Sequence, residues 1–406
     1  MKISVHPEMM PGPVAARWDR RKPARGQRSA VMDCRYRAIV LASMVGWWFG
    51  ATLAGAAWPT YRHDAQRSGV ASEAEELPMT QAWMHSPTHP PSPAWPELPA
   101  KKDVYRRVTA LGPTTSFDEA FHVAIADGVV CYGSSSDDTV YCLDAADGKL
   151  RWSFVTDGPV RLAPVIAGGR VYVGSDDGCV YCLRVEDGQL VWKYRGGPED
   201  RRLPGNGRMI SLWPVRCGIV VDAGAVYFCA GLFPNQGNYL CAVRADDGRE
   251  VWKQPIEVPA QGYLSASASY LFVPTGRTAP QVFNRRTGES AGPLPGAGAD
   301  GKAGGCFVVL DGDAALYSAG ETSGILWSAP KTKEKILFTD GQRVVTDGAV
   351  SYILTRDRLC ALDREHWLEL GRLQAIAKKT PADLARIIAL GGARKSYLKW
   401  EVPIAE

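Results

Sequence analysis

Histidine is scarce in this 406-residue chain, with six in all and two of them within the first 63 residues. So few histidines give no paired zinc-ligand spacing, and hydrolase chemistry that relies on a histidine base has thin support. No nucleophile elbow and no phosphate-binding loop is present. A strong charge of one sign is missing as well. The net charge of +4 comes from the N-terminus: residues 1–31 carry +5 and residues 32–57 carry +1, which leaves about −2 from Trp58 onward. That near-neutral remainder gives no electrostatic footprint for nucleic acid.

Long apolar runs are also absent, with one exception. The stretch "MDCRYRAIVLASMVGWWFGATLAGAAWPTY" has the three parts of a secretory signal. Arg35 and Arg37 form a charged start, Ala38 to about Ala54 an apolar centre, and Gly55, Ala56 and Ala57 a small-residue cleavage site. We expect residues 32–57 to direct export, starting at Met32. The basic residues 1–31 are then an upstream extension or a disordered tail. The alternative is an uncleaved signal anchor, since about 17 apolar residues just suffice to span a bilayer. No lipid-attachment cysteine follows. Ten cysteines permit disulfides in an exported chain but are too sparse for a disulfide scaffold.

What the chain does contain is a repeat. Residues 131–154, "CYGSSSDDTVYCLDAADGKLRWSF", align without a gap at a spacing of 40 with residues 171–194, "VYVGSDDGCVYCLRVEDGQLVWKY". A third copy, with a longer middle, covers 226–254. Weaker copies lie at 270–290 and 350–367, and a poor one at about 306–327. Asp-Gly recurs at 147–148, 187–188 and 247–248, and a tryptophan follows four residues after each glycine: Trp152, Trp192 and Trp252. A period near 40 made of short β-runs parted by Gly and Asp turns predicts an all-β fold, a β-propeller of four-stranded blades. A sandwich places no tryptophan at fixed phase in successive units. The span 115–367 has room for about six blades. Residues 58–114 read as a lead-in with a proline-rich loop, and 368–406 as a helical C-terminal segment. There Thr380 is expected to cap a helix that has Pro381 at its first position and Gly391 at its end.

The pattern aliphatic-Tyr-aliphatic-Gly-Ser, then Tyr-x-Leu, then Asp-Gly-x-x-x-Trp resembles the repeat of quinoprotein-type propellers. That superfamily includes pyrroloquinoline-quinone (PQQ) dehydrogenases and the non-catalytic barrel-assembly propeller. The lead-in "WPTYRHDAQRSG" (58–69) resembles the entry segment of exported bacterial members. The resemblance covers 58–69 and 115–365 and implies that Gly148, Gly188 and Gly248 dock neighbouring blades together with Trp152, Trp192 and Trp252. It commonly implies eight blades, more than the span accommodates. It also raises the alternatives of a PQQ- and calcium-dependent dehydrogenase, or of a fragment of a larger protein with a further domain such as a methyltransferase-like one. The dehydrogenases have a base beside a calcium ion and often an adjacent cysteine pair. This chain has no Cys-Cys and no acidic set matching those calcium ligands, so no catalytic residue, metal or cofactor is assigned.

Cys179 and Cys182 lie three apart in one strand and point to opposite faces, about 10 Å apart, too far to share a metal or a disulfide. Cys217 and Cys229 flank a hairpin turn, where a cross-strand disulfide and two free thiols both stay open. The Asp pairs 137–138 and 176–177 read as hairpin-turn residues. Ligand-binding candidates come from aligning the units on their inner strands. Arg161 aligns with Arg216 and, less closely, with Gln261, and Asp118 and His122 flank the same phase in the first unit. Arg208 and Trp213 lie in "GNGRMISLWPVR". Arginines converging with an aromatic near one channel mouth suit a small anionic or glycan-like ligand; inter-blade salt bridges are the other reading. The resulting expectation is an exported, periplasmic or envelope scaffold that binds a ligand or an envelope protein. It binds no nucleic acid, and meets the membrane only through an uncleaved anchor.

Overall fold

Strands of two to seven residues, rich in Val, Tyr and Leu and closed by glycine turns, assemble into six four-stranded antiparallel sheets among the described residues. The computed structural model describes residues 57–71, 73, 78–94 and 117–404, apart from 206, 277, 297–306, 319–323, 339 and 392–395. The expected tail 1–31 and the signal stretch up to residue 56 lie outside them. All described residues belong to one compact unit, Leu53–Glu406. The chain is an all-β propeller. Its blades run 123–155, 165–195, 220–256, 265–293, 308–338 and 343–403, each built from consecutive strands from inside to outside. From blade 1 through blade 6, successive first strands touch one another, so these inner strands face the axis. Two short pairs supplement the blades: Arg202–Gly205 with Arg208–Ser211, and Cys217–Gly218 parallel to Gly262–Tyr263.

One joint recurs between blades. The Trp152 indole N–H donates to Val185 O at 2.8 Å and Trp192 to Ala245 O at 3.0 Å. The rings lie on the following blade's turn glycine: Trp152 on Gly188, Trp192 on Gly248, Trp252 on Gly288. Gly148 is covered in the same way by Trp83 of the lead-in, whose indole donates to Ala145 O at 2.9 Å. Glycine is needed here for two reasons. At Gly188, φ is 71°, and an added Cβ would sit 2.6 Å from the Trp152 ring. Gly188→Ala is therefore expected to cost about 1–3 kcal/mol, as strain plus a displaced tryptophan. Gly168→Ala, at φ 58° with nothing within 4 Å of its Cβ, should cost less. Urea unfolding at unchanged m-value checks the pair.

The C-terminal boundary differs from expectation. Helix α1 (Arg364–Ala375) starts inside the expected repeat region, and α2 (Pro381–Gly391) follows it. The chain then returns as a strand, Leu398–Pro403, that pairs with Arg358–Asp363 as the outer strand of blade 6. The expected helical segment thus holds, among its described residues, a pair of helices and then a strand. The reason is physical: without the returning strand, the third strand of blade 6 would expose an unpaired edge. Thr380 and Asp383 cap α2 reciprocally, Thr380 Oγ1 accepting from Asp383 N–H and Asp383 Oδ2 accepting from Thr380 N–H.

Candidate functional site

The lead-in segment runs along the inner strands of the propeller. Trp58 pairs with Ile125 of blade 1. Pro59 O accepts from Ile166 of blade 2, Ala65 O from Ala266 of blade 4, Gln66 O from Leu310 of blade 5 and Ser68 O from Thr346 of blade 6. Blade 3 is reached by a side chain. Arg67, only 1% exposed, donates to Ile219 O at 2.9 Å and to Leu264 O at 2.8 Å. Its remaining bonds go to Thr60 Oγ1, Tyr61 O and Asp64 O. Burial pushes its pKa down to about 10, so it stays charged at neutral pH. Beside it Tyr61 and Tyr263 stack with centroids 3.6 Å apart, and His122 lies edge-on to both. Burial raises the Tyr263 phenol, whose oxygen accepts from Ala163 N–H at 2.9 Å. Residues 58–69 therefore occupy the axial space that a propeller otherwise offers to ligands.

The sequence-selected arginines meet at a residue read from the sequence only as part of a turn. Asp176, with no exposed surface, accepts from Arg161 Nε at 2.7 Å on one oxygen. Arg216 holds both its oxygens at 2.8 Å through Nε and Nη2. Arg161 Nη1 also donates to Ser92 O at 2.6 Å and to Asp118 Oδ2 at 3.2 Å, and Asp118 in turn accepts from Ala94 N–H at 2.6 Å. Two carboxylates and two guanidinium groups thus form a balanced, buried chain across blades 1, 2 and 3. Such a chain fixes blade positions, with both carboxylates already bonded to guanidinium donors. The signal available in the sequence was charge complementarity: two arginines at one inner phase call for a buried acid, and the Asp-Asp turn was its source.

The other candidates fall around this chain. Arg208 reaches back to the Asp138 carboxylate and Ser136 O of blade 1. Burial raises Asp138's pKa, and Arg208 opposes that rise. Trp213 is buried against Gly197, and its indole donates to Gln236 O at 2.8 Å, so it presents no open ring face to a sugar. Half-buried Gln261 bonds through its main-chain N–H to Pro274 O and does not join the arginine chain. Asp177 is also buried, held by Cys179 N–H, the Tyr181 hydroxyl and Lys193. The disulfide held open for Cys217 and Cys229 is not formed. Both are free and buried, because Cys229 N–H approaches Cys217 Sγ at 3.0 Å in place of the Cys229 sulfur. Instead, two other free thiols touch: Cys131 and Cys142, at 3.1 Å across adjacent strands.

This donor set does not suit a calcium–quinone pair. Asp176 and Asp118, the carboxylates beside the arginines, are already taken by guanidinium and amide donors, and the axis is filled. A cleft of about 590 Å³ opens between the lead-in and blades 5 and 6, lined in part by His63, Asp64, Asp311, Asp347 and Arg364. There Asp311 is held by Arg364 at 2.9 Å and by the Trp327 indole at 3.0 Å.

A family model described as outer membrane protein assembly factor BamB matches residues 106–265. None of the curated proteins matches the chain. Among solved structures, BamB from Moraxella catarrhalis is 18% identical, with 61% of this chain and 72% of that chain covered and a TM-score of 0.44. The computationally designed Ika8 protein is 13% identical over 59% and 69%, with a TM-score of 0.45. A europium-containing methanol dehydrogenase is 14% identical over 76% and 84%, with a TM-score of 0.42. The chain is thus a β-propeller whose residues 106–265 match the model of the family described as outer membrane protein assembly factor BamB.

Proposed function

We propose that this protein is a non-catalytic propeller scaffold of the cell envelope that binds other proteins, as an assembly factor for outer-membrane proteins does. The observation that most supports this reading is the filled axis. Residues 58–69 bond to the inner strands of blades 1, 2, 4, 5 and 6, and Arg67 ties in blade 3, so binding surface is left on the faces and edges of the blades. The family match over 106–265 favours the same role, and the signal stretch 32–57 favours export. Removing the protein from its host is expected to lower the outer-membrane β-barrel protein content, measured by quantitative mass spectrometry of membrane fractions. An unchanged content would sink the assembly role. The dehydrogenase alternative is tested separately by titrating purified protein with pyrroloquinoline quinone and Ca²⁺. We expect no saturable uptake and no dye-linked alcohol oxidation; stoichiometric binding with turnover would overturn the scaffold reading.

A further inference from the structure

The inter-blade joint of blades 1–3 follows one pattern, and blade 6 carries an unfinished copy of it. The outer-strand position that docks on the next blade is Trp152, Trp192 and Trp252 in blades 1–3. Each pairs with a small residue of the third strand, Cys142, Cys182 or Ala242, just before a register shift. In blade 5 the same position is Ile336, which packs on Gly371 of α1 in place of a turn glycine. In blade 6 it is Trp400, opposite Ala361 and again just before a register shift. The tyrosine that buttresses the docking ring recurs too. Tyr172–Trp192, Tyr227–Trp252 and Tyr352–Trp400 have ring centroids 5.9, 6.1 and 6.0 Å apart. Trp400 is therefore placed as its counterparts are. Yet it is 43% exposed where Trp152 and Trp192 are 7% and 8%. Among the described residues its indole N–H has no acceptor and no glycine turn covers it. Val402 and Ile404, 50% and 44% exposed, continue the same face.

We propose that the Trp400 face of blade 6 is a docking site for a blade-type β-sheet of another polypeptide, one that presents a glycine turn between its third and fourth strands. This rests on the scaffold reading and names its surface. The partner's chemistry follows from the three finished tryptophan joints. A left-handed glycine lets the indole lie flat on the turn, and in two of the three a carbonyl three residues before that glycine accepts the indole N–H. A second copy of this chain is a poor occupant. Its turn glycines at 148, 188, 248 and 288 are already covered by Trp83, Trp152, Trp192 and Trp252, and the corresponding turn of blade 5 carries Lys333 at φ 58°. A tryptophan centred in such a contact is the kind of side chain that dominates binding energy.

The test compares the full chain in its native cells with the same chain purified, by hydroxyl-radical footprinting read by mass spectrometry. In the purified protein Trp400 should be oxidised about five times as fast as Trp192, in the ratio of their exposures. In cells that ratio should fall to about one. A photo-crosslinking residue at Val402 should capture a peptide of another polypeptide that carries a glycine turn between two strands, and Trp400→Ala should abolish the capture. Equal oxidation of Trp400 in cells and in purified protein would overturn the proposal. So would crosslinks confined to this chain or to a second copy, or crosslinks to peptides lacking such a turn. Footprinting uses the unaltered protein, so misfolding of the alanine variant does not blunt it. Lost outer-membrane protein content with Trp400 unprotected defeats this site and leaves the scaffold role standing.

Discussion

Arg67→Met should be the most damaging single substitution in this protein, costing at least about 4 kcal/mol and leaving a loosened propeller. The arginine is sealed in the axis and satisfies five oxygens at 2.8–3.2 Å, from residues Thr60, Tyr61, Asp64, Ile219 and Leu264. Methionine fills comparable volume but donates nothing, so buried carbonyls that now accept would be left bare at about 1–3 kcal/mol each. Relaxation and entering water would recover part of that sum. Arg67→Lys should rescue little, because three donors on one nitrogen cannot reach acceptors spread across blades 3 and 4 and the lead-in. Thermal unfolding of both variants checks the claim. A shift of no more than a few degrees for Arg67→Met would show that the lead-in is not what holds the inner strands.

The second large effect is expected at Asp176. Asp176→Ala leaves Arg161 and Arg216 buried with no shared counter-charge, and breaking a buried pair in this way costs about 3–5 kcal/mol. Replacing all three together, Asp176→Leu with Arg161→Met and Arg216→Met, should recover most of the loss, since removal of a complete buried ion cluster is often neutral or better. That comparison separates a structural clamp from a ligand site. If Arg161→Ala with Arg216→Ala lowers the urea midpoint while partner binding is kept, the arginines hold blades together. Lost binding at unchanged stability would restore the channel-mouth ligand site.

Some of this architecture was legible in the chain itself. Blades 1, 2 and 3 announce themselves through Gly148–Trp152, Gly188–Trp192 and Gly248–Trp252, because a left-handed turn and the ring that covers it demand particular residue types. Blades 4 and 5 read poorly for the same reason in reverse: Gly292 and Ile336 stand where tryptophan stands elsewhere, and Lys333 takes the glycine's turn. Trp400 escaped notice because two helices separate it from its blade, and a local repeat carries no information across such an insertion. Arg161 and Arg216 were selected by phase, but their meeting point was not. An Asp-Asp turn looks alike whether its carboxylates face water or a guanidinium group.

Residue types at short range thus determined the strand–turn–strand units, their period and the positions of the docking rings, since these depend on backbone sterics and on neighbours a few residues away. Only the tertiary structure decided that residues 58–69 fill the axis, that Asp176 joins blades 2 and 3, and that Trp400 is left uncovered. Each of these depends on groups brought together from distant parts of the chain, from Arg67 to Leu264 or from Ala361 to Trp400, and their burial exists only once the blades have closed around them.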